Sequence, residues 1–275
     1  MAETRIPAAS GAPGSATVPV RDGEPALRLT GMSKAFGAVQ ALKDVDFEVW
    51  DGEVVGLVGD NGAGKSTLIK VIAGVNPADS GHIYMYGKEV HIAAPTDATH
   101  LGIETVYQDL ALADNLDVVA NLYLGREETS PKIPGLGGIL NETTMEQRTL
   151  DVMKQLDVKT INSVRVPVSA LSGGQRQSIA VAKTILRNPK VVLLDEPTAA
   201  LGVAQTRQVL NLIRRLRERG LAVVVISHNL ADVFEVVDRV IVLRLGQRAG
   251  SYDIHSTTPE QIVAAITGAE FGVAE

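Results

Sequence analysis

From Leu27 onward the chain alternates between short apolar runs and longer stretches with a helical period. VVGLV at 54–58 is apolar at every position, as a parallel strand covered on both faces should be. The next segment, from about Lys65, sets Leu68, Ile69, Val71 and Ile72 on one side and stops at Gly74, which predicts a helix. Ahead of them, LRLTGMS and VDFEVW are β-rich. HIYMYGKEV at 82–90 alternates about a Tyr-Gly turn and reads as a hairpin, and IETVY at 103–107 is a further strand. The later part repeats the alternation as helix 174–187, strand 190–194, helix 203–218, strand 221–226, short helix 229–236 and strand 239–243. This order predicts an α/β fold, a mainly parallel sheet with helices on its faces, to which the early hairpin adds an antiparallel portion.

Residues 109–165 break the rhythm. VVANLYL is helical, PKIPGLGG at 131–138 is a loop, and Thr143 with Glu146 forms a capping-box pattern ahead of Met145, Val152, Met153 and Leu156. A helical subdomain inserted over about 109–175 is expected. Thr258-Pro259 opens a last short helix. Residues 1–25 are rich in Ala, Pro, Gly, Ser and Thr without apolar period and read as a flexible tail, so the folded domain is expected over 26–270.

Composition narrows the class. Acidic residues outnumber basic ones, 32 to 26, for a net charge of −6, which argues against a nucleic-acid partner. No cysteine means no disulfide, thiolate metal site or cysteine nucleophile. No run approaches the roughly 20 apolar residues that cross a bilayer, and no secretory signal is evident. A cytoplasmic location is expected.

The chemistry starts at Gly59-Asp60-Asn61-Gly62-Ala63-Gly64-Lys65-Ser66, which fits G-x-x-x-x-G-K-[ST] between a buried strand and a helix. Its glycines let backbone N–H groups wrap anionic oxygens at a helix start. Lys65 can reach β- and γ-phosphates, and the Ser66 hydroxyl is placed for Mg²⁺. A second element, VVLL followed by Asp195-Glu196, stands two carboxylates at the end of a core strand, the edge where ligands of α/β sheets collect. There Asp195 would hold Mg²⁺ and Glu196 would polarise water. Leu171-Ser172-Gly173-Gly174-Gln175 reads locally as an ordinary capping box.

Taken together, Gly59–Ser66, Gln108, Leu171–Gln175, Asp195–Glu196 and His228 resemble, in order and spacing, the motifs of ATP-binding cassette (ABC) ATPases, over about Leu27 to Ala269. The resemblance implies a P-loop NTPase core and two cassettes packed head to tail around two ATP molecules. The phosphate loop, Gly59, Asn61, Gly62, Ala63, Gly64, Lys65, Ser66 and Thr67, would face Ser172, Gly173, Gly174 and Gln175 of the second copy. By the same resemblance Phe36 stacks on adenine, Gln108 senses Mg²⁺ and water, and His228 bridges γ-phosphate and the catalytic Glu196. Ser66, Gln108 and Asp195 are the implied metal residues. The plainer alternatives, which carry less weight, are a core aromatic for Phe36 and a surface glutamine for Gln108.

Gly202 departs from the family pattern, which has aspartate there and uses it to couple the two nucleotide sites. The TAALGV stretch and DLALADNLDVVANLYLGRE at 109–127 are similar to the monosaccharide-importer branch. That branch implies permease subunits in the membrane, whose coupling helix would dock in a groove of the 109–165 insertion. It also implies a periplasmic or extracellular sugar-binding protein and a peripheral place on the cytoplasmic membrane face. Two other readings stand beside it: a soluble cassette ATPase acting on nucleic acid or ribosomes, and, prompted by Gly202, a nucleotide-gated module without turnover.

Overall fold

The computed structural model describes residues 23–130 and 138–269. The expected tail thus lies outside the described residues up to 22, as does the expected loop at 131–137. In chain order the elements are β1 (Leu27–Phe36), β2 (Val39–Val49), β3 (Val54–Val58), α1 (Lys65–Ile72), β4 (Ser80–Met85), β5 (Lys88–Val90), α2 (Pro95–Leu101), β6 (Ile103–Val106), α3 (Val118–Tyr123), α4 (Glu142–Gln155), α5 (Gly173–Ile185), β7 (Val191–Asp195), α6 (Val203–Glu218), β8 (Ala222–Ile226), α7 (Leu230–Val236), β9 (Arg239–Arg244), β10 (Gln247–Asp253) and α8 (Pro259–Thr267).

Two sheets result. A six-stranded sheet has the order β10-β9-β3-β8-β7-β6, and a four-stranded antiparallel sheet has the order β2-β1-β4-β5. In the larger sheet β9, β3, β8, β7 and β6 are parallel neighbours, and β10 closes one edge antiparallel. Because successive strand side chains point to opposite faces, each central strand feeds two cores. Val54, Val58, Val192, Leu194, Val223 and Val225 join Leu122, Met153, Ile179 and Ile213 of the helices on one face. Val55, Leu57, Val191, Leu193, Val224 and Ile226 join Leu68 and Ile72 of α1 and Leu27, Leu29 and Phe47 of the antiparallel sheet on the other. The result is the α/β architecture expected from the apolar runs.

Parallel strands give the sheet a direction. At the end where the strands begin, the buried Arg239 guanidinium donates to Glu53 (Nε to Oε1 3.0 Å), to Ser251 Oγ (3.2 Å) and to the Glu48 carbonyl (2.9 Å). Glu53 is itself buried and also accepts from Trp50 N–H at 2.9 Å. At the opposite end, β3, β6, β7 and β8 all run out into the motif-bearing loops.

Between β6 and β7 the chain places α3, α4 and α5. Asn121 of α3 is fully buried and satisfied: its amide donates to the carbonyls of Ala113, Leu116 and Asp117, and its oxygen accepts from Ala113 N–H. One side chain thereby holds residues 113–117 against α3. Helix α4 starts two residues earlier than the Thr143–Glu146 pattern suggests. Asn141 is its cap, accepting from Thr144 N–H, while Glu146 pairs with Arg165 instead. Two elements had no counterpart in the hydrophobic pattern: the polar strand β10, and α2, which starts on Pro95 and ends at Gly102.

Candidate functional site

The phosphate-loop residues connect β3 to α1. Gly64 caps the helix with φ +103°, and a Cβ there would come within 2.7 Å of the Ala41 carbonyl and 2.9 Å of Leu42. At Gly59 a Cβ would run into the Leu243 carbonyl oxygen. Only glycine lets the backbone fold this tightly. The Lys65 ammonium bridges the carbonyls of Gly59 (2.8 Å) and Asp60 (3.0 Å), which bends the side chain back over the loop. Gly246, in the β9–β10 turn, donates to the Ala63 carbonyl at 3.1 Å and braces the loop from behind. That brace was not foreseen; the Leu245-Gly246 pair after a buried strand was its only sequence signal. Asn61, Gly62 and Ser66 are exposed, Thr67 is half-buried, and Ala63 is buried.

Two strands away, Asp195 ends β7 and Glu196 follows in the left-handed region at φ 50°. Glu196 N–H donates to the Ile226 carbonyl at 3.0 Å, tying this turn to the end of β8. His228, two residues beyond β8, sets Nδ1 2.8 Å from Glu196 Oε2. The histidine is 71% exposed and the glutamate 16%, so the pair has one wet and one sheltered member. Gly59, Asp60 and Asn61 share one open cleft with Ser227, His228 and Leu230. The loop, Glu196 and His228 thus meet at one sheet edge. Gln108 is exposed just past β6 on the same edge. The other four histidines are not drawn into it: His82, for example, pairs with Glu89 on the antiparallel sheet.

Charge balance points to the kind of ligand. Burial lowers the Lys65 pKa, against the pull of Glu196, Asp60 and Asp195. Burial raises the Asp195 pKa, and the neighbouring Glu196 adds to it, against Lys70 and Lys65. A desolvated ammonium gains most from an anion and a desolvated carboxylate from a cation. A ligand that brings both matches the edge.

Phe36 ends β1 and is 46% exposed, with the Lys34 ammonium 5.6 Å from its ring centre. It is not a core residue, and nearly half of its surface is exposed. Ser172 caps α5: its hydroxyl accepts from Gln175 N–H (3.4 Å), and Gln175 Oε1 accepts from Ser172 N–H (2.9 Å). The Gln175 amide also donates to the Thr160 carbonyl. Gly173 and Gly174 sit close to the turn before α6 and to α6 itself: a Cβ would lie 2.8 Å from the end of the Leu201 side chain and 3.1 Å from Gln205 respectively.

Residues 42–199, more than half of the chain, match the family model described as ABC transporter. The chain belongs to that family. Among relatives of this ABC ATPase, the fructose import ATP-binding protein FrcA of Rhizobium meliloti is 44% identical, over 90% of this chain and 95% of its own. The xylose/arabinose import ATP-binding protein XylG of Sulfolobus acidocaldarius is 43% identical with the same coverage. The ribose import ATP-binding protein RbsA 2 of Escherichia coli O157:H7 is 40% identical, and there the chain spans about half of the relative, 47%. A solved ATP-binding cassette of an ABC transporter in its ADP conformation superposes with TM-score 0.73 at 26% identity, covering 89% of this chain and 96% of that one. The chain is an ATP-binding ATPase.

Gly202, where the cassette pattern has aspartate, caps α6 with φ −74° and ψ 163°, a conformation open to any residue. A Cβ there meets nothing within 4 Å. Gly202→Asp is therefore expected to fold unchanged and to gain a few tenths of a kcal/mol, because aspartate caps helices better than glycine. Thermal unfolding checks this; a drop in midpoint contradicts it.

Proposed function

We propose that this ATPase is the energising subunit of an importer of a simple sugar, of the class named in its relatives: fructose, xylose or arabinose, ribose. The convergence of the phosphate loop, Glu196 and His228 on one sheet edge carries the reading. It is supported by identities of 44% and 43% along nearly the whole length of two sugar-import ATP-binding proteins.

In this reading Lys65 and the loop N–H groups hold the β- and γ-phosphates, and Phe36 stacks on the base. Ser66, Gln108 and Asp195 offer only hard oxygen donors, and the desolvated Asp195 carboxylate favours a cation, so the set fits Mg²⁺. Mg²⁺ held by these three residues would supply charge neutralisation to the phosphates. Glu196 accepts a proton from the attacking water or orients it, and His228 holds the Glu196 carboxylate by the 2.8 Å contact. Ser172 and Gly174 of a second cassette complete the site, where the N-terminus of α5 offers unpaired N–H groups and a positive dipole end to the γ-phosphate. A homodimer satisfies this geometry.

Among the described residues no helix is long and apolar enough to cross a membrane. Permease subunits would supply the passage, hold the cassette on the cytoplasmic face and insert a coupling helix into the helical segment between β6 and β7. A periplasmic or extracellular protein would deliver the sugar. The test is uptake by the complex reconstituted with its permease, across a panel of labelled solutes. ATP-dependent accumulation of a monosaccharide is the expected result. Accumulation only of a solute of another class, or of none, refutes the proposal.

A further inference from the structure

The turn that carries Glu196 is strained and fastened. Glu196 at φ 50° and Ala200 at φ 58° both occupy left-handed backbone, which costs a non-glycine residue about 1–2 kcal/mol each. Such a turn persists only where surrounding contacts hold it. Its own bonds are ordinary: Ala199 N–H to the Glu196 carbonyl (3.1 Å) and Leu201 N–H to the Thr198 carbonyl (3.3 Å). Two side-chain contacts then tie it to the segment after β8. One is Glu196 with His228. The other joins Thr198 Oγ1, as donor, to Asp232 Oδ2 at 2.7 Å, a half-buried bond to a side-chain oxygen in the first turn of α7.

Neither Thr198 nor Asp232 lines the cleft that Gly59, Asp60 and Asn61 share with Ser227 and His228, so neither is assigned a catalytic role. They lie on the same two segments as Glu196 and His228, two and four residues further along. Asn229 stiffens the second segment: its side chain accepts from Ala231 N–H, and its N–H donates to Ser227 Oγ (3.0 Å). The first segment continues to Leu201, which packs on Gly173 of α5. A shift of the 196–201 turn against α7 would therefore alter the Glu196–His228 distance.

We propose that Thr198 and Asp232 are a positioning pair that holds the Glu196 turn against α7 and thereby sets the Glu196–His228 contact. The inference rests on the proposed reading of Glu196 and His228 as the hydrolytic groups.

The test is steady-state phosphate release by the full chain with Mg·ATP, resolved into kcat and KM. Thr198→Val keeps shape but removes the donor. Hydrogen bonds to charged groups are worth enough that kcat should fall roughly 10-fold or more. KM for ATP should stay within two-fold, because the phosphate loop is untouched. Thr198→Ser, which restores the hydroxyl, should recover most of the rate. Asp232→Ala should give a similar loss, and the double variant no more than either single one. A merely structural role would lower the unfolding midpoint without this split or this non-additivity. A Thr198→Val chain with parental kcat, or losses that multiply in the double variant, overturns the inference. The underlying reading is tested separately by Glu196→Gln: if that variant turns over at the parental rate, the hydrolytic assignment itself fails, whatever Thr198 does.

Discussion

Glu196→Gln is expected to bind ATP with near-parental affinity and to release phosphate roughly 10²–10⁴-fold more slowly, the usual contribution of a general base. The substitution keeps the side chain's shape and an oxygen that can still face His228 Nδ1, now 2.8 Å from Glu196 Oε2. The turn itself should survive, because the Glu196 N–H to Ile226 carbonyl bond belongs to the backbone. What disappears is the carboxylate that takes the proton of the attacking water. Nucleotide should then stay closed between two cassettes, and size-exclusion chromatography with Mg·ATP should show a dimer that the parental chain forms only transiently. Phosphate release at the parental rate would assign the base elsewhere.

The second large effect lies at the other end of the same sheet. Arg239→Ala removes the guanidinium that donates to the buried Glu53 carboxylate, and breaking a buried ion pair costs about 3–5 kcal/mol. At roughly 2–4 °C per kcal/mol for a chain of this size, the unfolding midpoint should drop by about 6–20 °C. Arg239→Lys should fall between, since an ammonium keeps the charge but cannot reach Glu53, Ser251 and the Glu48 carbonyl together. Because the pair sits where β3 and β9 begin, kcat measured below the lowered midpoint should be unchanged. A change of under 1 kcal/mol would mean that water or backbone donors compensate Glu53 fully.

The parts of this molecule legible in the sequence were those whose physics is local. VVGLV followed by G-x-x-x-x-G-K-S specifies a buried strand, a tight turn and a helix start within thirteen residues, and the structure contains all three. Helix α6 was readable to the residue because Val209, Leu210, Leu212, Ile213 and Leu216 repeat on one face. Strand β10 was not, because QRAGSYD is polar and pairs only through the Leu245-Gly246 turn, which brings it back along β9. The start of α4 was misplaced since Asn141 and Thr143 are both good caps, and only the pairing of Glu146 with Arg165 decides between them. Bonds such as Thr198–Asp232 and Arg239–Glu53 join residues 34 and 186 positions apart, and one sequence carries no trace of such pairings.

Gly202 has a further consequence. Its backbone is relaxed and its surroundings are empty, so neither glycine nor aspartate is imposed there by folding. A single base change converts a GGU or GGC glycine codon into an aspartate codon. Under the proposed reading, selection at this position acts on cooperation between the two nucleotide sites with little effect on folding, and a lineage can gain or lose that cooperation without first acquiring a compensating mutation.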